Sequence, residues 1–183
     1  GSLNVGGALA AKIGELEEFL KEGRYDIVAL QEVRAVEKLA VDGYKYFPAV
    51  NEDGHGGVAM LGALHIVSLI TVLPKLHANQ LWLKIRGTAG CADMYVCSAY
   101  MPQESALEVD RSGAWSALQS KVMACRRGGS EVLVMGDLNA KLGVPANPAE
   151  FGLIGPHSYG QTSSNGKLMK AFLRNTGMVN AAG

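Results

Sequence analysis

Asp137 and Asn139 are the residues whose types and spacing point most clearly to chemistry in this chain. They follow the apolar residues 132–135, which predict a strand buried on both faces, and Gly136, which permits a tight exit. Side chains two apart in an extended chain point the same way, so both would share one face at the strand's end. Such an edge often carries function, although an ordinary turn favours the same residue types.

Polar side chains also stand at three other predicted strand ends. Asn4 follows Leu3, Glu32 follows an apolar run and Gln31, and Tyr100 closes the apolar run 94–100. Hydrolysis of a phosphodiester requires a nucleophilic water, neutralisation of the negative charge on the phosphoryl oxygens, and stabilisation of the leaving oxygen. Because Mg²⁺ prefers carboxylate oxygen and keeps several waters, one dedicated carboxylate can suffice to hold it.

Hydrophobic periodicity predicts the elements that must position these residues. Apolar residues three and four apart predict helices over 8–22, from a capping box at Ser105 and Glu108 to about residue 127, and over 166–175. Short apolar runs predict strands over 26–30, 58–61, 65–72, 80–85, 94–100 and 132–135, with a further strand beginning at 178–182. Residues 143–164, rich in Gly, Pro and Asn, predict a long loop.

The composition describes a globular chain without a global attraction for nucleic acid. With 183 residues, 48% hydrophobic and 19% charged, the chain can bury one sizeable core. Its formal net charge is zero, so local cations or a bound metal would have to hold a polyanion. Gly1 and Ser2 resemble an expression scar, which leaves a single expected domain over 3–183.

Cysteine usage and hydropathy indicate the redox compartment and whether a membrane partner is expected. Three cysteines without paired-ligand spacing argue against a disulfide scaffold or a zinc site, and they favour a reducing, intracellular compartment. No apolar segment of the sequence reaches membrane-spanning length, so a membrane partner is not expected.

The order and spacing of the motifs resemble the endonuclease/exonuclease/phosphatase family. That family includes abasic-site endonucleases, deoxyribonuclease I and the endonuclease domains of LINE-type, or non-LTR, retrotransposons. The resemblance runs from residue 3 to about residue 175 and is carried by Gln31-Glu32, residues 56–61, Tyr100 and Gly-Asp-Leu-Asn at 136–139. Residues 165–168 with Phe172 look closest to the retrotransposon branch. The implied fold is a two-sheet α/β sandwich of the deoxyribonuclease I type, mostly antiparallel and flanked by helices.

The resemblance also implies roles for the two carboxylates. Glu32 would hold Mg²⁺, with Mn²⁺ as a substitute, and its ordinary alternative is a surface Glu that follows a strand. Asp137 would orient or deprotonate the attacking water, a role in which geometry matters before pKa.

Uncharged residues complete the implied site. Asn4 and Asn139 would bind the phosphate or hold the other catalytic groups without adding negative charge. Tyr100 would donate to the scissile phosphate, whereas a half-buried Tyr with a wet hydroxyl is equally ordinary. Asn165 would touch substrate, although an N-cap of the helix that begins at Gly166 is the simpler explanation.

Two departures from the family pattern change what is expected of the chain. Gly6 stands where members carry an Asp, and the final strand with its Asp and the following Ser-Asp-His have no counterpart. His65, in an apolar run, is predicted to be a satisfied core or sheet residue. The C-terminal strands are therefore expected to be missing, leaving sheet edges for a partner chain or self-association. Because catalytic residues act as a unit, little activity is expected of the isolated chain.

The expected function is divalent-metal-dependent phosphodiester hydrolysis, in a DNA-nicking endonuclease of a retroelement that would act in the nucleus. One alternative keeps the chemistry and changes the substrate to RNA, phosphoinositide or sphingomyelin. The other is a binding module without catalysis, completed by strands of a partner chain.

Overall fold

The computed structural model describes residues 1–7, 9–34, 36–51, 56–75 and 77–181. The strands in these ranges are β1 (Ser2–Asn4), β2 (Ile27–Gln31), β3 (Tyr44–Ala49), β4 (Val58–Ala63), β5 (Ile70–Val72), β6 (Gln80–Ile85), β7 (Met94–Tyr100) and β8 (Glu131–Asp137). The helices are α1 (Ile13–Gly23), α2 (Glu108–Arg127), α3 (Pro148–Ile154) and α4 (Ser164–Thr176). No helix within the described ranges combines the length and apolar character needed to cross a membrane.

The chain divides into two compact units. The first unit comprises residues 1–100 and 125–137, and so contains α1 and all eight strands named above. The second unit comprises residues 101–124 and 138–183, and contains α3, α4 and most of α2. The expectation of one domain over 3–183 stays a prediction.

Two four-stranded sheets form the first unit, in the orders β1-β2-β4-β3 and β5-β6-β7-β8. The pairs β1–β2 and β7–β8 are parallel, whereas the remaining pairs are antiparallel. A parallel pair requires a crossover connection, and α1 and α2 lie in the two connections that supply it. The predicted fold class, a two-sheet α/β sandwich with mostly antiparallel pairing, is confirmed.

Strand β4 shows how the first unit is held together, because its alternate side chains enter two different cores. Val58 and Met60 pack with Leu83 of β6 in the core between the sheets. Ala59 and Leu61 point the other way, into a core that also contains the buried face of α1. All six residues of β4 are buried, as expected for a strand covered on both faces.

Strand β8 departs from its prediction of burial on both faces. It lies at the edge of its sheet, and Leu133 is 44% exposed. Met135, two residues further on, packs against the core between the sheets. An apolar run therefore marked the strand correctly, but its burial depends on neighbouring elements that local sequence does not specify.

The helix starts were predicted least accurately. Helix α1 begins at Ile13 rather than at residue 8. Leu9 contributed to the helical pattern and is buried, but it lies in a turn before the helix. The capping box at Ser105 is wrong: α2 begins at Glu108, and Leu107 is 70% exposed. The apolar residues further along α2 are buried, in keeping with the periodicity that predicted the helix; they are Trp115, Leu118 and Val122.

Three segments differ in type from their predictions. Residues 64–69 form a 3₁₀-helix, so only Ile70–Val72 of the predicted strand 65–72 is extended. The predicted loop 143–164 contains α3, whose start carries a recognisable signal: Asn147 caps the Glu150 N–H and Pro148 occupies the first turn. Residues 178–181 of the predicted last strand are not extended into a sheet.

Strand β3 was not predicted; its Pro48 is tolerated because β3 is an edge strand.

Candidate active site

Three predicted site residues of the first unit, Asn4, Glu32 and Asp137, come together. The Asn4 Nδ2 donates to Glu32 Oε1 at 2.8 Å and to Asp137 Oδ2 at 3.0 Å. The Asn4 Oδ1 accepts from the Gly6 N–H at 2.9 Å. One carboxamide thus holds two carboxylates side by side, and its two N–H donors and its oxygen are all engaged.

Strand pairing places the residues within each sheet, and a contact between β1 and β8 brings the residues of the two sheets together. Strands β1 and β2 run parallel with Asn4 opposite Gln31, the residue before Glu32. Strands β7 and β8 also run parallel, with Tyr100 opposite Asp137. Because parallel neighbours end at the same edge of a sheet, each pair delivers its last side chains together.

The backbone at Glu32 is held in an uncommon conformation. Its φ is +56°, in the left-handed region that costs a residue with a Cβ roughly 1–2 kcal/mol. Hydrogen bonds from the Gly7 N–H to the Glu32 carbonyl (2.9 Å) and from the Arg34 N–H to the Gly56 carbonyl (2.7 Å) fix the turn. Strain that neighbouring bonds maintain is typical of functional sites, where it serves to aim a side chain.

Gly136 has a steric role next to Asp137. Its φ is +146°, and a Cβ at this position would lie 1.9 Å from the Ala99 carbonyl oxygen on β7. Only glycine allows β8 to approach β7 so closely at the strand's end. The predicted exit at Gly136 is wrong, because β8 continues through Gly136 to Asp137 and stays paired with β7.

Tyr100 is half-buried and packs partly against the core between the sheets. Its backbone N–H donates to the Asn79 carbonyl at 2.9 Å, and the Asn79 side chain accepts from Asn51 at 2.8 Å. These contacts fasten the end of β7 to the turn before β6. The predicted donation by the Tyr100 hydroxyl stays a prediction.

Asn139 and Asn165 belong to the second unit, where they contact each other. The Asn139 Nδ2 donates to the Met101 carbonyl at 2.8 Å, from a backbone with φ of +46°. Asn165 is completely buried, and its Nδ2 donates to the carbonyls of Pro102 (2.7 Å) and Asn139 (3.0 Å). Asn165 therefore ties the residues after β7 to the residues after β8.

The N-cap role considered for Asn165 is wrong. Ser163 caps α4, its hydroxyl accepting from the Gly166 N–H at 3.1 Å. The substrate contact predicted for Asn165 stays untested, but its complete burial favours an internal role instead.

Glu104 is a residue of this cluster that sequence reasoning missed. Its Oε1 accepts from the Asn165 N–H at 2.7 Å. Hydrogen bonds from the Ser163 hydroxyl and then from the Asn165 N–H hold the pKa of Glu104 below its usual range. No sequence signal marks Glu104, because its partners are set by tertiary contacts.

The histidines take other positions. His65 lies in the 3₁₀-helix, largely exposed, with its Nε2 3.0 Å from Asp26, so its prediction as a core or sheet residue is wrong. His157 is exposed in the second unit, and His55 lies outside the described residues.

The donor set of the first unit fits a hard divalent cation. Oxygens of Glu32 and Asp137 lie within 3.0 Å of the same Asn4 nitrogen, so two anionic groups face one small region. Among the described residues, no group of three or more His, Cys, Asp or Glu side chains is placed to hold a metal. Mg²⁺ suits such a site better than zinc does, because it is bound by one or two carboxylates and retains several waters.

The sandwich of two mixed sheets, with carboxylates and carboxamides at the strand ends, defines a fold of the deoxyribonuclease I type. The model of the endonuclease/exonuclease/phosphatase family matches residues 1–152 of the sequence. The chain therefore belongs to the endonuclease/exonuclease/phosphatase family. A search of curated protein sequences gave no match.

Solved structures share this fold at low sequence identity. The AP endonuclease LMAP from Leishmania major is 14% identical, with a TM-score of 0.67 over 96% of this chain and 65% of that one. The endonuclease domain of TRAS1, a telomere-specific non-LTR retrotransposon, is 17% identical, with a TM-score of 0.64 over 96% and 70%. The 3′ phosphatase NExo from Neisseria, bound to a product DNA hairpin, is 13% identical, with a TM-score of 0.67 over 95% and 69%. The chain thus spans about two thirds of the length of these structures.

Proposed function

We propose that the chain carries the metal-binding and water-activating residues of a phosphodiesterase site, in a DNA-nicking endonuclease of a retroelement. The observation that supports this most is the Asn4 carboxamide, which bridges Glu32 and Asp137 at 2.8 and 3.0 Å. Membership of a family of nucleases and phosphatases supplies the reaction class.

Glu32 is the proposed metal ligand. It follows a buried strand, and its strained backbone aims the carboxylate at the same region as Asp137. When bound, Mg²⁺ or Mn²⁺ neutralises charge on the phosphoryl oxygens. Replacement of Glu32 should therefore remove both divalent-ion affinity and the dependence of cleavage on that ion.

Asp137 is the proposed base for the attacking water. As the water oxygen bonds to phosphorus, Asp137 takes its proton, the bond to the leaving oxygen breaks, and solvent protonates that oxygen. Of the two roles open to Asn4, the structure favours holding the carboxylates, because its amide hydrogens and its oxygen already have partners. Tyr100, opposite Asp137 in the register, is the proposed donor to the phosphate.

DNA is the proposed substrate and a retroelement the proposed source. Support comes from structures of the same fold: one is the endonuclease domain of a non-LTR retrotransposon, and another holds a product DNA hairpin. Residues 165–168 resemble the retrotransposon branch, and such an enzyme would act in the nucleus.

The test pairs metal binding with nicking. Titration calorimetry with Mn²⁺ should detect binding to the parent chain and not to Glu32→Gln. A supercoiled plasmid should be nicked with Mg²⁺ and not with chelator, at a rate that Glu32→Gln lowers. Glu37→Gln, an exposed carboxylate five residues away, is the matched control and should change neither result. Metal binding or cleavage that is equal in Glu32→Gln and the parent would overturn the proposal.

Substrate class is tested on the same preparations. Turnover of plasmid DNA should exceed turnover of single-stranded RNA, a phosphoinositide headgroup and sphingomyelin. Faster hydrolysis of any of the last three would keep the metal-dependent chemistry and replace the retroelement assignment.

A second candidate function is a binding module completed by a strand from a partner. It is favoured by β8, which pairs only with β7 among the described strands and exposes 44% of Leu133. An open strand edge can accept another chain by main-chain hydrogen bonds. Light scattering that shows a dimer, converted to monomer by Leu133→Lys, would favour this function; a monomer at all concentrations would argue against it.

A further inference from the structure

The second unit contains a groove whose chemistry the proposed active site does not use. A cavity of about 700 Å³ lies between residues 140–143 and 157–163. A second depression of about 550 Å³ shares Ala140, Lys141 and Ser163 with it and continues toward Asn139. Together they form one groove, called here the Lys141 groove, which begins directly after the Gly-Asp-Leu-Asn motif in the chain.

Internal hydrogen bonds build the walls of the Lys141 groove. The Ser163 N–H donates to the Lys141 carbonyl at 3.0 Å, and the Lys141 N–H donates to the Ser163 hydroxyl at 3.2 Å. The Thr162 hydroxyl donates to the Leu142 carbonyl at 2.8 Å. Gly143 is required where the walls meet, since a Cβ there would lie 2.6 Å from the Thr162 nitrogen.

A buried cation supports the same wall. The Lys170 Nζ donates to Thr162 Oγ1 at 3.1 Å and to Glu150 Oε2 at 2.9 Å. Lys170 is only 7% exposed, so this charge is fixed in place by its partners. The groove is therefore preformed, which lowers the ordering cost of binding a ligand.

The side chains in the larger cavity are suited to a nucleotide. Tyr159 is 87% exposed, the highest value among the large apolar side chains in the described ranges, and it gains little from packing within the chain. Lys141 supplies a cation, while His157 and Gln161 supply hydrogen-bonding groups. Among the residues that the structure describes, no Asp or Glu lines this cavity, although the chain has 17 acidic residues and no net charge.

We infer that the Lys141 groove binds an unpaired nucleotide of single-stranded DNA, with the base stacked on Tyr159 and a phosphate on Lys141. This rests on the proposed function, because it deepens the substrate assignment of a DNA-nicking enzyme. Sites for single strands combine a basic groove with exposed aromatic rings, and every base offers a face for stacking. Glu104 lies at the far end of the Lys141 groove. Its carboxylate accepts from the Asn165 N–H and lies 3.6 Å from the Arg111 guanidinium, which offsets its negative charge.

The test distinguishes binding through the bases from binding through the phosphates. Fluorescence anisotropy in chelator measures binding of a short labelled oligothymidylate, and of an oligomer of equal length in which abasic linkers replace every nucleoside. Tyr159→Ala should weaken binding of oligothymidylate about tenfold and leave the base-free oligomer unchanged, whereas Tyr159→Trp should retain affinity. Lys141→Ala should weaken both probes and reduce the slope of log affinity against log salt by about 0.7.

Phe151→Ala is the matched control, because Phe151 is an exposed aromatic residue of the same unit outside the groove. It should alter neither probe. The inference is overturned if Tyr159→Ala behaves like Phe151→Ala, or if it weakens both probes equally. Since no metal or cleavage is involved, a failure here leaves the Glu32-dependent nicking test standing, and a failure of that test leaves base-dependent binding measurable.

Discussion

Two asparagine-centred clusters, one in each unit, use the same side chain in opposite ways. In the first unit, exposed Asn4 holds two partly buried carboxylates, Glu32 and Asp137, where β2 and β8 end. In the second unit, fully buried Asn165 holds two backbone carbonyls and is itself held by Glu104. The first cluster presents two carboxylates, whereas the second uses the amide hydrogens of Asn165 internally and leaves its Oδ1 buried without a hydrogen-bond partner among the described residues.

This difference predicts that the first cluster serves a reaction and that the second serves stability. Two carboxylates on one neutral amide repel each other and gain from a divalent cation. Buried backbone carbonyls that accept from an amide gain nothing from a ligand, but removal of the amide leaves them unpaired and lowers the free energy of unfolding. Changes in the first cluster should therefore alter activity, and changes in the second should alter stability.

The largest expected effect is the loss of activity in Asp137→Asn. The amide cannot take a proton from water, so the nicking rate should fall by about 10²–10⁴-fold. The variant keeps an oxygen that can accept from Asn4, so the midpoint of thermal unfolding should stay close to that of the parent. Asp42→Asn, an exposed carboxylate of the same unit, is the control and should keep its rate. A rate for Asp137→Asn equal to the control would remove Asp137 from the catalytic role.

Gly136→Ala tests the geometry that supports the first cluster. The new Cβ would lie 1.9 Å from the Ala99 carbonyl oxygen, so β8 would have to move away from β7. We expect a loss of about 3 kcal/mol or more in the free energy of unfolding, measured by urea denaturation. Gly14→Ala is the matched control: it lies within α1 with nothing near its Cβ, and it should be neutral or stabilise the chain by up to about 1 kcal/mol. Equal stability of the two variants would show that β8 is not fixed at Gly136.

Asn165→Ala tests the supporting role of the second cluster. It would leave the Pro102 and Asn139 carbonyls without their donor, at a cost of about 2–4 kcal/mol in the free energy of unfolding. Asn175→Ala, on the same helix with one exposed bond to Gln119, should cost less than about 0.5 kcal/mol. If urea denaturation gave the two variants the same stability, Asn165 would have no special structural role.

The two clusters also show which features of the fold and of the candidate site could be predicted from the sequence. Strands β6 and β7 match their predicted bounds because short apolar runs flanked by breakers identify them locally. Glu32 and Asp137 were predicted as site residues because each lies at the end of a strand within a recurring motif; their roles stay predictions. Their proximity depends on the pairing of β1 with β2 and of β7 with β8, and on the contact between β1 and β8 of the two sheets. Periodicity encodes none of these contacts.

The second cluster could not be predicted in the same way. Asn165 was recognised as special, but its partners are backbone carbonyls, which carry no sequence signature. Glu104 was missed because it acts on α4 from a turn 61 residues away. The capping box at Ser105 failed for a related reason: a local pattern was present, but Ala106 bonds back to Gln103 in a turn before the helix begins.

The smallest expected effect is the pH dependence that Glu104 adds to the stability of the second cluster. Hydrogen bonds from Ser163 and Asn165 lower the pKa of Glu104 in the folded chain below its usual value of 4.5. The unfolded chain then binds more protons in this range, so the contribution is present above the unfolded pKa and is lost as pH falls through the folded pKa. Between about pH 6 and pH 3, the unfolding midpoint of the parent should fall more steeply than that of Glu104→Gln. Glu108→Gln, an exposed carboxylate in the first turn of α2, should keep the parent's slope. Parallel slopes for Glu104→Gln and the parent would mean that Asn165 is held without the charge of Glu104.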